Sequence, residues 1–152
     1  MFLKNLNGEK NVKEMKLYHG TRTTDPKILY EDKEECFNIN YTGDNNFLGR
    51  GTYFAEKSEY SHNYSYRERN VSMFNRLFTQ KVFSEMFFCI VLVGDSQNIQ
   101  NVTSASQSMR DTEFKDTKNK IRYESSTMFT NNSQIYTVYK NRRAYPLYLI
   151  KY

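Results

Sequence analysis

Two histidines, His19 and His62, are the side chains of this sequence best suited to acid–base chemistry near neutral pH. His19 is followed by Gly20 at the end of a short apolar segment. No pair of carboxylates has the spacing of a glycoside hydrolase, and neither Cys36 nor Cys89 belongs to a zinc-ligand motif. P-loop, Rossmann and Gly-x-Ser-x-Gly motifs are also absent from the sequence. These absences argue against a triad hydrolase, a P-loop enzyme and a Rossmann dehydrogenase.

The composition indicates one domain that must hold these side chains in place. The chain has 152 residues, a usual size for a single domain with its own core. Aromatic residues make up 16% of it, with 13 Tyr and 11 Phe, so they must supply much of that core. The net charge of +5 is spread along the chain, and no basic block is longer than residues 140–143. A dedicated nucleic-acid arm is therefore not indicated.

The sequence favours an intracellular protein, in the cytoplasm or the nucleus. Its longest apolar run, residues 86–93, is much shorter than the ~18 residues that a membrane helix needs. The segment after Met1 has no signal-peptide core. Cys36 and Cys89 are expected to be reduced thiols. No membrane partner is expected.

The first half of the chain predicts short strands and helices separated by polar turns. Residues 16–21 read as a strand that ends in a glycine turn. Asp25 can cap a helix in which Pro26 takes the first position. We also expect an extended piece at 36–39, a strand entered through glycines at 49–55, and a helix at 58–64.

The middle of the chain predicts one long strand between two polar segments. Residues 66–84 are charged, and we expect a solvated helix face or loop around Arg67 and Arg69. Residues 81–94 read as a strand, buried on both faces over 86–93. Residues 95–120 are almost entirely polar and predict a long loop, either functional or mobile.

The end of the chain predicts two strands, at 133–139 and 144–152. The connection at 140–143 has the length of a hairpin loop, so the two strands are expected to pair. Pro146 is expected at a sheet edge or a strand start. Because strands dominate and helices are short, the fold class is predicted to be α+β with a mixed or antiparallel sheet.

These predicted strands, helices and loops contain a set of short motifs in a fixed order along the chain. Taken singly, each has an ordinary structural explanation: a His-Gly turn, a Tyr-Phe pair in a core strand, a serine on a helix. In chain order the motifs are LYHGT at 17–21, GRGTYFA at 49–55, YSHNY at 60–64, IYTVY at 135–139 and AYPLYLI at 144–150.

In this order and spacing the set resembles the catalytic domain of poly(ADP-ribose) polymerase-like ADP-ribosyltransferases, the diphtheria-toxin-like branch. The family's His-Gly-Thr/Ser is similar to residues 19–21, and its Gly-x-Gly-x-Tyr-Phe-Ala is similar to residues 49–55. Its Ser-x-x-Tyr matches Ser61 and Tyr64, and its last two strands match 138–139 and 145–150. The resemblance runs from about residue 14 to the end of the chain.

The resemblance implies a fold and a set of roles. The fold is a split, mostly antiparallel sheet with a central cleft for NAD+, which is the substrate. Gly20 would present its backbone N–H and C=O to the nicotinamide amide, and Ser61 would donate its hydroxyl to the same amide. Tyr64 would stack on the nicotinamide ring, which Tyr53 would enclose.

Further roles are implied for the ribose and for the cover of the site. His19 would hydrogen-bond the adenine-side ribose with the help of Thr21, and residues 44–48 would form the donor loop over the dinucleotide. A bulky side chain at Gly20, as in Gly20→Trp, is expected to fill the pocket and abolish activity while the domain stays folded. Such a site cleaves a glycosidic bond by positioning and electrostatics, so no metal is expected.

The sequence departs from the polymerising members of the family at Ile135. Those members carry Glu at this position, whereas Gln134 next to it is expected on the opposite face of the strand. Isoleucine cannot orient a ribose hydroxyl or accept its proton, so chain elongation is not expected. The resemblance therefore implies a mono-ADP-ribosyltransferase, with His19, Tyr53 and Ile135 at the catalytic positions.

A second departure concerns the beginning of the chain. About eighteen residues precede His19, whereas the family's fold begins earlier, with a strand and a helix. We therefore expect a single catalytic domain over residues 1–152. Three explanations for the missing first strand and helix stay open: a fragment, a minimal version of the fold, or a decayed copy.

Three functional hypotheses follow. The leading one is transfer of a single ADP-ribose from NAD+ to a protein side chain, with a nucleic-acid acceptor left open. The second is an inactive NAD or ADP-ribose binding or scaffold domain of the same fold. The third is an aromatic-rich nucleic-acid binder, which would carry Tyr and Phe among Lys and Arg on one strand face.

Overall fold

The computed structural model of the protein describes residues 13–32, 34–44, 46–67 and 83–152. Its helices are α1 (Pro26–Glu31), α2 (Ser58–His62) and α3 (Ser104–Gln107), with a 3₁₀ helix at Ile39–Tyr41. Its strands are β1 (Glu14–His19), β2 (Thr52–Ala55), β3 (Tyr66–Arg67), β4 (Ser84–Leu92), β5 (Ser96–Asn98), β6 (Phe114–Asp116), β7 (Ile121–Arg122), β8 (Ser125–Thr130), β9 (Ser133–Val138) and β10 (Ala144–Lys151).

The main sheet has the strand order β10-β4-β1-β2-β9-β8-β5, and β3 pairs with β4 beside this path. The neighbours on this path are antiparallel except β5 and β8, which are parallel. β6 and β7 form a separate two-stranded sheet. The predicted α+β class with a mostly antiparallel sheet is confirmed.

The sheet is split between β1 and β2. These two strands share one residue pair, Tyr18 with Ala55, whereas β1 follows β4 from Glu14 to His19. Within the described residues, no further pair joins β1 to β2. We call β10, β4 and β1 the apolar half of the sheet and β2, β9, β8 and β5 the hydroxyl half.

The apolar half forms because its strands alternate towards a common core. Leu17, Phe87, Cys89 and Val91 are each at most 1% exposed and lie on one face. Phe88, one residue along from Phe87, faces the other side and is half-buried. The expected burial on both faces over 86–93 is largely confirmed, with Phe88 and Ile90 only partly covered.

The helix predicted after Asp25 is confirmed. The Asp25 carboxylate accepts a hydrogen bond from the Lys27 N–H at 2.9 Å, and Pro26 is the first helical residue. The extended piece expected at 36–39 is wrong, since Cys36 has a φ of 47° and Ile39 begins the 3₁₀ helix. Asn38 is the reason: its side chain caps that helix by accepting from the Asn40 N–H at 2.8 Å.

The hairpin predicted between the last two strands is also wrong. β9 pairs with β2 and β8, whereas β10 pairs with β4 at the other end of the sheet. Residues 140–143 are therefore a crossover that passes β2, β1 and β4. Pro146 lies in the edge strand β10, as expected, where a register shift between Pro146 and Tyr148 accommodates it.

The long loop predicted at 95–120 contains three elements, β5, α3 and β6. Ser, Thr and Gln form these elements because their side chains are satisfied by specific partners, such as the Ser96 hydroxyl with that of Ser125 at 2.7 Å. The strand β8 was not predicted at all. The segment 66–84 falls mostly outside the described residues, and its described ends lie in β3 and β4.

Two smaller findings concern the cysteines and the helices. Cys36 and Cys89 are free thiols buried in the same core, as expected. No helix of the described residues is long and apolar enough to cross a membrane.

Candidate active site

A cleft of about 570 Å³ opens where β1 and β2 separate. Its walls come from the end of β1, the segment that follows it, the 3₁₀ helix, β2 and α2. The cleft brings together six residues that the sequence motifs single out: His19, Gly20, Thr21, Tyr53, Ser61 and Tyr64. The split in the sheet thus gathers side chains that lie up to 45 positions apart in the chain.

His19 is held at the end of β1 by one hydrogen bond and two aromatic rings. Its Nδ1 lies 2.6 Å from the Tyr53 carbonyl, which can only accept, so Nδ1 carries the proton. The rings of Phe37 and Phe54 lie 5.1 and 5.2 Å from the imidazole, centre to centre. Burial lowers the pKa of His19 to about 4, so the ring is neutral near pH 7 and Nε2 is an acceptor.

Gly20 allows β1 and α2 to approach each other. A Cβ at this position would lie 2.3 Å from the Tyr64 carbonyl oxygen and 2.7 Å from that of Ser61. The same Tyr64 carbonyl accepts a hydrogen bond from the Arg22 N–H at 2.8 Å. The expectation that Gly20→Trp leaves the fold intact is therefore wrong, because the new side chain would collide with backbone rather than fill open space.

Ser61 and Tyr64 are one helical turn apart and both face the cleft. Ser61 is 3% exposed, and its hydroxyl makes no hydrogen bond with any residue in the described ranges. The Tyr64 ring packs on that of Tyr60 with 5.3 Å between centroids, and the Arg22 guanidinium lies 4.4 Å from its centre. A free hydroxyl beside an aromatic face suits a flat ring that carries an amide.

The Tyr53 hydroxyl is engaged with the loop that precedes β2. It accepts from the Leu48 N–H and donates to the Gly49 carbonyl, both at 2.8 Å. Burial raises the pKa of Tyr53 well above its ordinary value, and it raises that of Tyr60 likewise. Both groups are therefore neutral phenols near pH 7 and neither is a base.

Thr21 is engaged in its own turn. Its hydroxyl donates to the Thr24 carbonyl at 2.6 Å, so towards a ligand this hydroxyl can act only as an acceptor. Thr21 lines the same cleft as His19. Its predicted role in ribose binding stays a prediction.

Ile135 lies beneath the cleft rather than on its surface. It is fully buried among Leu48, Ala55 and Tyr60, and it faces Ala55 across the β2–β9 pairing. Gln134 points to the opposite face, where its amide donates to the Thr127 hydroxyl at 2.5 Å. Across the described residues, no Asp or Glu lines the cleft.

Arg22 was not singled out from the sequence. It is the one charged residue of the described cleft lining, and it forms no ion pair with another described residue. Its place directly after residues 19–21 is the signal that could have found it. The Arg22 guanidinium, which lies over the Tyr64 ring, gives the cleft a preference for a ligand with negative charge.

The next question is whether the described residues could hold a metal ion. The residues that the structure describes contain no group of three or more His, Cys, Asp or Glu placed to hold a metal ion. The groups that the cleft offers are a neutral imidazole, a free hydroxyl, aromatic faces and one guanidinium. This set can bind an aromatic amide and ribose hydroxyls and can stabilise negative charge.

The comparisons with known proteins agree with this geometry. The model of the family described as poly(ADP-ribose) polymerase catalytic domain matches residues 3–152. A probable poly(ADP-ribose) polymerase of Dictyostelium discoideum is 33% identical over 139 residues, which cover 91% of this chain and 34% of that protein. Protein mono-ADP-ribosyltransferase PARP12 of Mus musculus is 28% identical over 146 residues, which cover 96% of this chain and 18% of that protein.

The split sheet with its cleft is that of an ADP-ribosyltransferase. The chain belongs to the poly(ADP-ribose) polymerase catalytic domain family. It spans about a third of the length of the first relative and less than a fifth of the second. Domains of this family use NAD+ as their substrate.

Proposed function

We propose that this domain transfers a single ADP-ribose unit from NAD+ to an acceptor, in the first place a protein side chain, and releases nicotinamide. The observation that supports single transfer is the cleft lining, which contains no carboxylate within the described residues. Where polymerising members carry Glu, this chain has the buried Ile135. A growing ribose hydroxyl would therefore find no carboxylate in the described cleft lining to remove its proton.

The proposed reaction breaks the bond between the ribose C1′ and the nicotinamide nitrogen, and the bonding electrons leave with nicotinamide. The Ser61 hydroxyl and the Gly20 backbone would hold the carboxamide, with the ring on Tyr64. The neutral His19 would accept a hydrogen bond from a ribose hydroxyl at Nε2. These contacts position the leaving group while positive charge develops on the ribose.

An acidic side chain of the target suits this site best as the acceptor. A carboxylate is already ionised near pH 7, so its oxygen can attack C1′ without a base from the enzyme. A hydroxyl acceptor would need such a base. In the described cleft the tyrosines are neutral phenols, and the His19 Nε2 would already accept a hydrogen bond from a ribose hydroxyl of NAD+. The proposed product is therefore an ester between a target Asp or Glu and one ADP-ribose.

The test is intact-mass analysis of the purified domain with NAD+ and candidate protein and oligonucleotide acceptors, together with measurement of nicotinamide release. We expect adducts of one ADP-ribose per site, which hydroxylamine removes because it cleaves esters. A ladder of increasing mass on one site would contradict single transfer. NAD+ binding without nicotinamide release would favour the alternative of an inactive binding domain, and adducts on an oligonucleotide alone would name a nucleic-acid acceptor.

A further inference from the structure

The helix α3 lies in the polar segment that the sequence predicts to be a loop. Thr103 and Ser106 close it with a reciprocal cap: the Thr103 hydroxyl accepts from the Ser106 N–H at 3.1 Å, and the Ser106 hydroxyl accepts from the Thr103 N–H at 2.9 Å. This cap satisfies the backbone N–H groups of Thr103 and Ser106. Ser106 is 5% exposed, so its hydroxyl is buried against a neighbouring part of the fold.

That neighbour is the loop before β2, for which we use the name cleft loop (residues 43, 44 and 46–50). The Ser106 hydroxyl lies 3.0 Å from the Phe47 carbonyl and 3.0 Å from that of Thr103, and its proton is shared between them. The Arg50 N–H donates to the Met109 carbonyl at 2.9 Å. Gly43, Asn46 and Phe47 of the cleft loop line the cleft itself.

Two further contacts fix the distance between these segments. Gly49 has a φ of 74°, and a Cβ there would lie 2.1 Å from the Met109 carbonyl oxygen. Arg110 and Asp44 form an ion pair at 2.8 Å, with side chains that are 61% and 60% exposed. The contacts thus reach the cleft loop near both of its ends and in its middle.

We propose that residues 103–110 brace the cleft loop, and that Ser106 and Arg110 are positioning residues for NAD+ binding. Neither side chain lines the cleft. Each acts through the backbone or side chain of the cleft loop, which forms one wall of the site. The identity of the ligand rests on the proposed function, whereas the bracing of the cleft loop does not.

Substitutions at the two positioning residues are expected to weaken NAD+ binding to different extents. A buried hydrogen bond contributes about 1 kcal/mol net, so Ser106→Ala is expected to weaken NAD+ binding roughly fivefold. An exposed ion pair contributes less, so Arg110→Gln is expected to weaken it about twofold. In both variants KM for NAD+ is expected to rise more than kcat falls, because the chemistry uses other side chains.

The experiment measures the cleft loop directly and the ligand separately. Hydrogen exchange of the amides at 47–50 is compared in the wild-type domain, Ser106→Ala and Arg110→Gln without ligand, and Kd for NAD+ is then measured by calorimetry. Ser108→Ala is the matched control, because its exposed hydroxyl bonds only to the Ala105 carbonyl within its own turn. A double variant that swaps the two charges, Asp44→Arg with Arg110→Asp, should restore the NAD+ binding that Arg110→Asp alone weakens.

We expect faster exchange at 47–50 and weaker NAD+ binding in Ser106→Ala, with the control unchanged. The proposal would be overturned if folded Ser106→Ala showed unaltered hydrogen exchange at 47–50 and the charge-swapped double variant showed no rescue of NAD+ binding. If Ser106→Ala fails to fold, exchange in the exposed variant Arg110→Gln decides in the same way. Absence of NAD+ binding by the wild-type domain would instead count against the proposed function, while faster exchange at 47–50 would still support the brace.

Discussion

The apolar half of the sheet buries hydrocarbon and aromatic side chains, such as Leu17, Phe87 and Val91. The hydroxyl half also contributes apolar residues to the core, but it buries a series of polar side chains that the apolar half nearly lacks. These are Thr52, Gln97, Ser125, Ser126, Thr127, Ser133 and Thr137. One half is therefore held mainly by removal of apolar surface from water. The other depends more on hydrogen bonds with specific partners, although the buried Thr137 hydroxyl has no such partner among the described residues.

The difference matters for the site because hydrogen bonds from the hydroxyl half reach the cleft loop. The Tyr139 hydroxyl donates to the Leu48 carbonyl at 2.6 Å, so the Ser126 hydroxyl must donate to Tyr139, also at 2.6 Å. Burial raises the pKa of Tyr139 to about 12, which keeps this phenol a donor near pH 7. Directional bonds place a loop more sharply than apolar packing, so the comparison teaches that the hydroxyl half positions the cleft loop while the apolar half stabilises the fold.

The largest expected effect is in the apolar half. Phe87→Ala removes a ring that is 1% exposed and packs against Phe37 at 5.9 Å. We expect a loss of about 3–5 kcal/mol in the free energy of unfolding, measured by chemical denaturation. Phe88→Ala is the control, because this neighbour is on the other face and half-buried. Equal losses in the two variants would mean that the apolar core is not the main source of stability.

The next effect tests the link between the halves, which His19 of β1 makes to Tyr53 of β2. Its pKa is lowered from 6.5 to about 4, so the unfolded chain binds the proton at a higher pH than the folded domain. The stability that this neutral imidazole supports is complete above pH 6.5 and is lost as the pH falls towards 4, by up to about 3 kcal/mol. Denaturation of wild type and His19→Gln between pH 7 and 4 checks this, and parallel curves would contradict it.

A smaller loss is expected in the hydroxyl half. Ser125 is fully buried, and its hydroxyl donates to the Val93 carbonyl at 2.8 Å. Ser125→Ala leaves that carbonyl without this donor, so we expect a loss of about 1–3 kcal/mol in the free energy of unfolding. Ser104→Ala, an exposed serine, is the control and should lose little. A loss as large as that of Phe87→Ala would remove the distinction between the two halves.

The last effect concerns the cleft between the halves and is expected mainly in ligand binding. Tyr64→Ala should weaken NAD+ binding by roughly 1–3 kcal/mol, the range for stacking of a base on an aromatic ring. It should lower the free energy of unfolding less than Phe87→Ala does, because the ring is only half-buried against Tyr60. Tyr64→Phe should be mild, because the hydroxyl meets only that of Tyr60, at 3.5 Å. Calorimetric titration with NAD+ measures both variants. If Phe is as harmful as Ala, the hydroxyl rather than the ring face binds the ligand.

The sequence motifs predicted most of the site because they lie on local elements. The cap at Asp25 depends on Lys27, two residues further on. The glycines at 20 and 51 were visible in the motifs, although each is required by a close approach of distant backbone. The apolar strand β4 was also predictable, since a run of buried side chains is visible in any window of that length. His19, Ser61 and Tyr64 were therefore identified, while their roles towards a ligand stay predictions.

The hydroxyl half was predictable only in part. β5, α3 and β8 consist largely of serine, threonine and glutamine, which a local reading assigns to loops. These segments are ordered in part because several of their hydroxyls meet partners from distant parts of the chain, as Ser125 meets Val93. Such a partner is 32 residues away in the chain, so no local window contains it.

By itself, the sequence determined the order of the motifs, the short helices and strands that carry them, and the absence of a carboxylate at Ile135. Only the tertiary structure decided that β9 and β10 lie on opposite sides of the split, that Gly20 is a close approach of two backbones, and that α3 braces the cleft loop. The physical reason is the separation along the chain of the residues that interact. Turns, caps and apolar runs depend on nearby residues, whereas strand pairing, close backbone contact and buried hydrogen bonds join residues that only the folded chain brings together.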